Sequence, residues 1–409
     1  MPFATVSTLT FGGLQLWRVL ICIVALGPLA FYLIAIIATM RFFIRNRKKR
    51  LRRFTPPISV LKPVRGVDFA SYENFKSFCL QDYPEYEILF CVNDLQDGAV
   101  PLIHRLMDEF PARGIRLLSG AAQLGANRKV SNLVLLAAEA KHALLVQSDG
   151  DVRVGPNYLR EMAAPFERNG TAVVSCLYRG VAQDNLWAQA EALGVATEFS
   201  ASVLVADWKE GVTFALGASV ATTKSWLGRI GGYAALVNVL ADDYEIGNRV
   251  AKIGGHVTIS REIVWTMYPA VSFREFWEHQ SRWARTIRLC RPFSYLGLLF
   301  THGLPLALIG GVASGSFKGT AWFLGAYVLL RFIQAWTIGV WGMRDETAGK
   351  KWWLLPVRDA VHFAVWVTSF FSNLVVWGGM EFRLKANGEM VALGPANAKE
   401  REAGEFQAG

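Results

Sequence analysis

Between Val19 and Met40 the chain has no charged residue, and the next thirteen positions, RFFIRNRKKRLRR (41–53), hold eight Lys or Arg and no acid. An uncharged run of that length, wound as a helix, matches the hydrocarbon thickness of a bilayer. It is too long for the apolar part of a cleaved signal peptide, whose basic flank also lies on the other side. The chain is therefore expected to enter a membrane at once. The basic cluster should stay on the cytoplasmic face, where it can meet anionic headgroups. This cluster carries most of the formal charge of +10. Basicity is thus a property of one juxtamembrane patch, and nucleic acid is a poor partner for it.

With 52% hydrophobic residues and a positive mean hydropathy, further spans are expected. Three more apolar stretches run over Pro292–Phe317, Thr320–Gly342 and roughly Ala360–Met380. The loop after the second carries Arg344, Lys350, Lys351 and Arg358, whereas the loop SGSFKG is nearly uncharged. One N-terminal and about three C-terminal spans, with the N-terminus outside, put residues 41–291 and the basic loop inside. Cys22, Cys79, Cys91, Cys176 and Cys290 are scattered without metal-ligand spacing, as for reduced cytosolic thiols. The expected organisation is 1–54 span and basic segment, 55–291 catalytic-type domain, 292–381 spans and 382–409 polar tail.

Within the soluble part, ISVLKPVRG (58–66), YEILFCVND (86–94), GIRLLSG (114–120) and HALLVQSD (142–149) read as strands. SYENFKSFCLQ, VPLIHRLMDEF and KVSNLVLLAAEAK read as amphipathic helices between them. Such alternation predicts a mostly parallel α/β sheet, in which ligands gather at the carboxyl ends of the strands. Asp94 and Asp149 end two of these runs and should share that edge.

Asp149, Gly150 and Asp151 form an abrupt acidic end to an apolar run. A single strand-end aspartate is most often a turn or cap. Carboxylates converging from separate strands instead need a cation, and oxygen-only ligands favour Mg²⁺ or Mn²⁺ bridging to a diphosphate. Further on, Asp242, Asp243 and Glu245 open a helix, which favours its dipole without any function. Beside a metal site, the same carboxylates suit deprotonation of an attacking hydroxyl. EFWEHQSRWARTIRLCR (275–291) reads as an interfacial amphipathic helix, and Arg282 on it could pair with phosphate oxygens.

Taken in order, VLKPVRGVD, Asp94 in CVND, Asp149 in SDGDVRV, Asp243 in ADDYE and HQSRW resemble the ceramide glucosyltransferase family, membrane-bound glycosyltransferases of GT-A fold with a D, D, D, (Q/R)xxRW signature. The resemblance runs from about Ile58 to Arg291. It implies a GT-A, Rossmann-like domain in which Asp94 contacts the uridine and Asp149 and Asp151 hold the diphosphate through a divalent metal, Mg²⁺ or Mn²⁺. Asp243 would be the catalytic base, with Arg282 and Trp283 at the diphosphate and the acceptor end. Lys129 and Asn132, in a segment like the family's NPKINNL, would lie near the nucleotide. The signature's first position departs: His279 stands where the family has Gln or Arg.

The reaction implied is a single displacement with inversion, moving a sugar from UDP-sugar to the hydroxyl of a membrane lipid, glucose to ceramide first. N-acetylglucosaminyl transfer to a hopanoid polyol such as bacteriohopanetetrol is the alternative within enzymes. A non-catalytic lipid-binding or transport protein is the alternative of another class. The expected setting is a bacterial inner membrane with the catalytic domain on its cytoplasmic side. His104, His142 and His256 lack ligand-spaced companions and read as structural. Arg331, inside an apolar stretch, is costly unless paired, and serves either packing or a lipid headgroup.

Overall fold

The computed structural model describes residues 10–11, 14–47 and 54–396, so positions 48–53 of the basic run and the tail beyond 396 lie outside the described residues. Helices α1 (Leu16–Ala25) and α2 (Gly27–Arg47) make one apolar stretch, Leu16–Asn46, long enough to cross a membrane. The four anticipated strands follow as β1 (Ile58–Pro63), β2 (Tyr86–Val92), β3 (Gly114–Ser119) and β4 (Leu144–Ser148). They pair in parallel in the order β3-β2-β1-β4. Helices α3 (Ser71–Cys79), α4 (Val100–Glu109) and α5 (Arg128–Glu139) connect them, which is the crossover a parallel pair requires. All of β1, β2 and β4 are buried, in keeping with a sheet covered on both faces.

The sheet then becomes mixed. After β5 (Val152–Arg153) come β6 (Thr171–Ala182), β7 (Ser219–Thr223) and β8 (His256–Tyr268). The eight-stranded order is β3-β2-β1-β4-β7-β6-β8-β5, with β7 antiparallel to both β4 and β6, and β6 parallel to β8. Between β6 and β7 lie α6 (Leu186–Gly194), a π-helical turn Val195–Phe199, and α7 (Ser200–Lys209). Helix α8 (Asp242–Lys252) precedes β8. Helix α9 (Phe273–Cys290) follows it, started by a capping box in which Ser272 and Glu275 satisfy each other's backbone N–H.

The membrane part departs from expectation in its last third. Helices α10 (Pro292–Gly297) and α11 (Gly303–Ser314) sit in the first predicted stretch, but the segments Pro292–Thr301 and Gly303–Ser314 meet at a 62° bend. Helix α12 (Phe317–Ala335) continues as a π-helical turn to Gly342 and is the second helix long and apolar enough to span. Over Ala360–Met380, however, the helix α13 (Leu355–Ser369) ends early, too short to cross. It gives way to β9 (Leu374–Trp377), β10 (Met380–Leu384) and β11 (Met390–Pro395), a three-stranded antiparallel sheet that also takes in most of the described part of the expected tail. The physical reason is the turn at Gly378 and Gly379, both at positive φ, a backbone conformation that glycine supplies freely. An apolar LVVW strand before such a turn has the hydropathy of a span end.

Helix direction follows from close approaches. Gly310 faces Ala25 and Phe323, Gly303 faces Tyr32 and Tyr327, and Gly342 faces Phe43. So α12 runs parallel to α1–α2, and α11 runs against both. The bent pair thereby carries the chain back between two parallel spans. Arg331 is fully engaged: Asp359 accepts from its Nη2 at 2.9 Å and its Nε at 3.0 Å, Gln334 from its Nη1 at 2.7 Å and Glu198 from its Nη2 at 3.2 Å. Of the two readings of Arg331, this favours packing.

Candidate active site

Parallel strands align their carboxyl ends, and the exchange from β1 to neighbours on either side leaves a crevice there. At that edge a cleft of about 370 Å³ is lined by Pro63 to Gly66 after β1, Gly150 and Asp151 after β4, Met267 and Tyr268 of β8, and Glu275, Phe276 and His279 of α9. Lys62, the penultimate residue of β1, is fully buried over the Phe78 ring at 4.0 Å and donates to the Asp149 carbonyl at 2.7 Å. Burial pulls its ammonium down to about 7 against the attraction of Asp149 and Asp151. A lysine there spends its charge on the acidic turn.

The start of α5 is set by Asn127. Its side chain accepts from Val130 N at 3.1 Å and donates to Val239 O at 2.7 Å, tying α5 to the segment that leads into α8. Lys129, two residues on, therefore reaches both acidic elements: its Nζ lies 2.7 Å from Asp149 Oδ1 and 3.6 Å from Asp242 Oδ2. Burial acts against its charge, but Asp149 and Asp242 outweigh it and hold the ammonium well above its ordinary value.

The carboxylates remain over-supplied. Burial first, and then the charge of Asp149, push Asp151 up to about 7, with Lys62 opposing. Asp242 Oδ2 is buried and makes no hydrogen bond with the described residues, Lys129 Nζ at 3.6 Å lying just beyond that range. Asp243 is raised to about 7 by burial and by Asp242, with Lys129 opposing. Among the described residues no three His, Cys, Asp or Glu side chains converge as a ligand set. The oxygen donors of Asp149 and Asp151, mutually repelling at the cleft edge, do fit a hard divalent cation whose other ligands are phosphate and water.

On α9, the spacing of four residues puts Glu275, His279 and Trp283 along one side, with the His279 and Trp283 rings 4.9 Å apart. His279 Nδ1 is in contact with the buried Glu191 carboxylate of α6. Arg282 is half-buried and makes no ion pair or side-chain hydrogen bond with the described residues. Burial lowers its guanidinium to about 10, against the pull of Glu191. A desolvated, uncommitted guanidinium on the helix that borders the cleft is suited to an anion.

Thus the fold brings Lys129, Asp149, Asp151 and Asp243 into one electrostatic cluster, and His279, Arg282 and Trp283 onto the helix that closes the cleft. Asp94 is different: it is exposed two residues past β2, and its carboxylate accepts from Gln96 N at 2.9 Å. Asn132 is buried one turn beyond Lys129 with no side-chain hydrogen bond to the described residues. Sequence reasoning missed Lys62, Asn127 and Glu191. Lys62 and Glu191 carried a faint signal, a charge inside an apolar strand and an acid inside the largely apolar run NLWAQAEALGVA (185–196).

The sequence model of glycosyl transferase family 21 matches residues 20–390. The chain belongs to glycosyl transferase family 21. The family match takes in the first membrane helix, the whole catalytic-type sheet and the C-terminal strands up to the start of β11. "Ceramide glucosyltransferase 3" of Caenorhabditis elegans is 28% identical over 256 residues, 62% of this chain and 56% of that protein. "Ceramide glucosyltransferase 1" of the same organism is 26% identical over 231 residues, 56% of this chain and 49% of that protein. The chain thus matches about half the length of these curated relatives. Among solved structures, a mannosyltransferase from Pyrobaculum calidifontis in complex with GDP-Man and Mn²⁺ superposes with a TM-score of 0.50 at 17% identity, covering 86% of this chain and 99% of that one. The likeness shows a shared GT-A-like fold.

Proposed function

We propose that this family 21 member is an inverting, metal-dependent glycosyltransferase that moves glucose from UDP-glucose to the primary hydroxyl of ceramide at the cytoplasmic face of a membrane. The observation that carries the reading is Asp243: a half-buried carboxylate raised to about 7, at the start of α8, in the same cluster as Lys129 and Asp149. A carboxylate so placed is poised to accept a proton near neutral pH. The family assignment, the ceramide glucosyltransferase relatives and a fold shared with a nucleotide-sugar enzyme support the donor and acceptor classes.

In the reaction, the lipid hydroxyl oxygen attacks the anomeric carbon as the bond from that carbon to the UDP oxygen breaks. Asp243 takes the hydroxyl proton. Arg282 neutralises charge that develops on the departing diphosphate, and Lys129 keeps Asp149 in place. Mg²⁺ or Mn²⁺ held by Asp149 and Asp151 would supply further neutralisation of the leaving group. Asp94 at the rim is assigned to the uridine, Asn132 to the nucleotide side, and Trp283 to the acceptor end. No nucleophile for a covalent intermediate is needed, so the anomeric configuration inverts.

The test is transfer by the purified protein in detergent with Mn²⁺, using labelled UDP-glucose and UDP-N-acetylglucosamine against ceramide and a hopanoid polyol. Labelled glucosylceramide that disappears with EDTA and returns with Mn²⁺ is the expected product. A labelled hopanoid would keep the mechanism and change the acceptor; no product from any pair would refute the enzyme.

A further inference from the structure

The first position of the (Q/R)xxRW signature is occupied here by His279, and the structure gives this histidine a dedicated partner. Glu191 lies on α6 at the wall of the same cleft, with its side chain only 5% exposed, so its charge needs a close partner. Among the described residues, the side chain within ion-pair distance of its carboxylate is His279, through Nδ1, and the field of Glu191 also reaches Arg282. His279 is 30% exposed and lines the cleft together with Asp151. With Nδ1 at the Glu191 carboxylate and the tilted Trp283 ring beside it, the imidazole is held in one orientation at the cleft wall.

We propose that Glu191 is a positioning residue that makes His279 the diphosphate-facing hydrogen-bond donor of this site, in place of the side-chain N–H of a Gln or Arg. The proposal rests on the reading that a nucleoside diphosphate occupies the cleft. Phosphate oxygens only accept hydrogen bonds, so a group facing them must donate. A neutral imidazole whose Nδ1–H is given to Glu191 has an acceptor at Nε2 and would repel the phosphate. The ring protonated on both nitrogens satisfies both sides, donating inward to Glu191 and outward to the phosphate. Glu191 supplies the inner negative charge and holds the ring in that orientation, as a second carboxylate commonly does for a working histidine. A glutamine at 279 needs no such carboxylate, because its amide donates in its neutral state.

The dependence is tested by a double-mutant cycle read as UDP binding with Mn²⁺ by calorimetry, with kcat and KM for UDP-glucose measured on the same proteins. Glu191→Gln in the native background is expected to weaken UDP binding about tenfold or more, the loss of one charge-assisted hydrogen bond. In a His279→Gln background the same substitution should add less than about twofold, because the partner it serves is gone. His279→Gln itself should lose less than His279→Leu, since its amide restores a donor. Equal losses from Glu191→Gln in both backgrounds would overturn the proposal and assign the carboxylate to Arg282 or to packing. If Glu191→Gln does not fold, judged by its thermal midpoint, the comparison of His279→Gln with His279→Leu decides: equal damage overturns the proposal. A native protein that binds no UDP removes the underlying reading as well, whereas native binding with equal losses removes this inference alone.

Discussion

Gly217→Ala is a sharp test of Asp243 because it touches the proposed base without changing it. A Cβ built on Gly217 would lie 2.7 Å from Asp243 Oδ2 and 3.2 Å from its Cγ, and its third-nearest heavy atom is Asp243 Cβ at 3.8 Å. Gly217 has no positive φ, so alanine brings no backbone strain. The carboxylate must retreat by about 0.7 Å to restore ordinary contact. Misplacing a reacting group by about 1 Å costs on the order of a hundredfold, so the shift should lower kcat by about tenfold to fiftyfold, or about 1.4–2.3 kcal/mol on the barrier. UDP affinity should change by less than about twofold, since Gly217 does not line the cleft and the perturbation falls on the proton acceptor. The assay is initial-rate transfer from UDP-glucose to ceramide at saturating donor, with UDP binding measured separately. An unchanged kcat would show that Asp243 is not the group whose position limits turnover. A loss of UDP binding equal to the loss of kcat would place the defect in the donor site instead.

Three further outcomes follow from the same geometry. Asp243→Asn should abolish transfer while UDP still binds, and retained turnover in that variant would sink the base assignment. Because burial and Asp242 raise Asp243 to about 7, and a base must be ionised to act, kcat/KM should fall about tenfold per unit as pH drops below about 7; a flat profile from about pH 8 to pH 6 would contradict it. Arg331→Met, which leaves Asp359 buried without its main cation, should cost about 3–5 kcal/mol of stability and lower the thermal midpoint by about 3–6 °C, and an unchanged midpoint would show that the cluster relaxes freely.

The parts of the fold legible in the sequence are those whose signals are local. Strands β1 to β4 announce themselves by β-branched apolar runs, and α9 by the amphipathic run 275–291, so the carboxyl edge carrying Asp149 could be placed in advance. The antiparallel insertion of β7 between β4 and β6 could not, because strand order depends on tertiary pairing that periodicity does not encode. Hydropathy alone also merged α13 with β9, since a composition window does not register the change of period after Ser369. In the site, the acids were visible as acids. Their governors were not: Lys62 reads as one charged residue in a strand, and Glu191 as one charged residue in a mostly apolar helix, until packing sets them against Asp149 and His279.

Helix α9 explains why the membrane helices and the chemistry belong to one unit. Its Phe276 and Gln280 face inward, where Arg358 of α13 donates to Gln280 at 2.8 Å and lies 6.0 Å from the Phe276 ring. That guanidinium passes so close to Gly194 at the end of α6 that a Cβ there would meet Arg358 Nε at 2.3 Å, so the turn after Glu191 is shaped around a residue of the membrane-side helix. Arg358 and Arg331 both pair with Glu198 in the π-helical turn that follows. On the remaining side, Arg288 of α9 donates to Ser372 O just before the C-terminal sheet. Met390 N of that sheet donates to Asn238 O, and its Val375 and Phe382 pack in one cluster with Leu240. The sheet thus braces the segment that delivers Asp243, while α13 braces the helix that delivers His279 and Arg282. Through Arg358, Arg331 and Glu198, α12 and α13 are tied directly to α9 and to the turn after α6, the elements that carry His279 and Glu191. For the membrane-lipid acceptor proposed above, such direct ties would hold the site at a fixed depth relative to the lipid hydroxyl, which a domain on a flexible stalk would not.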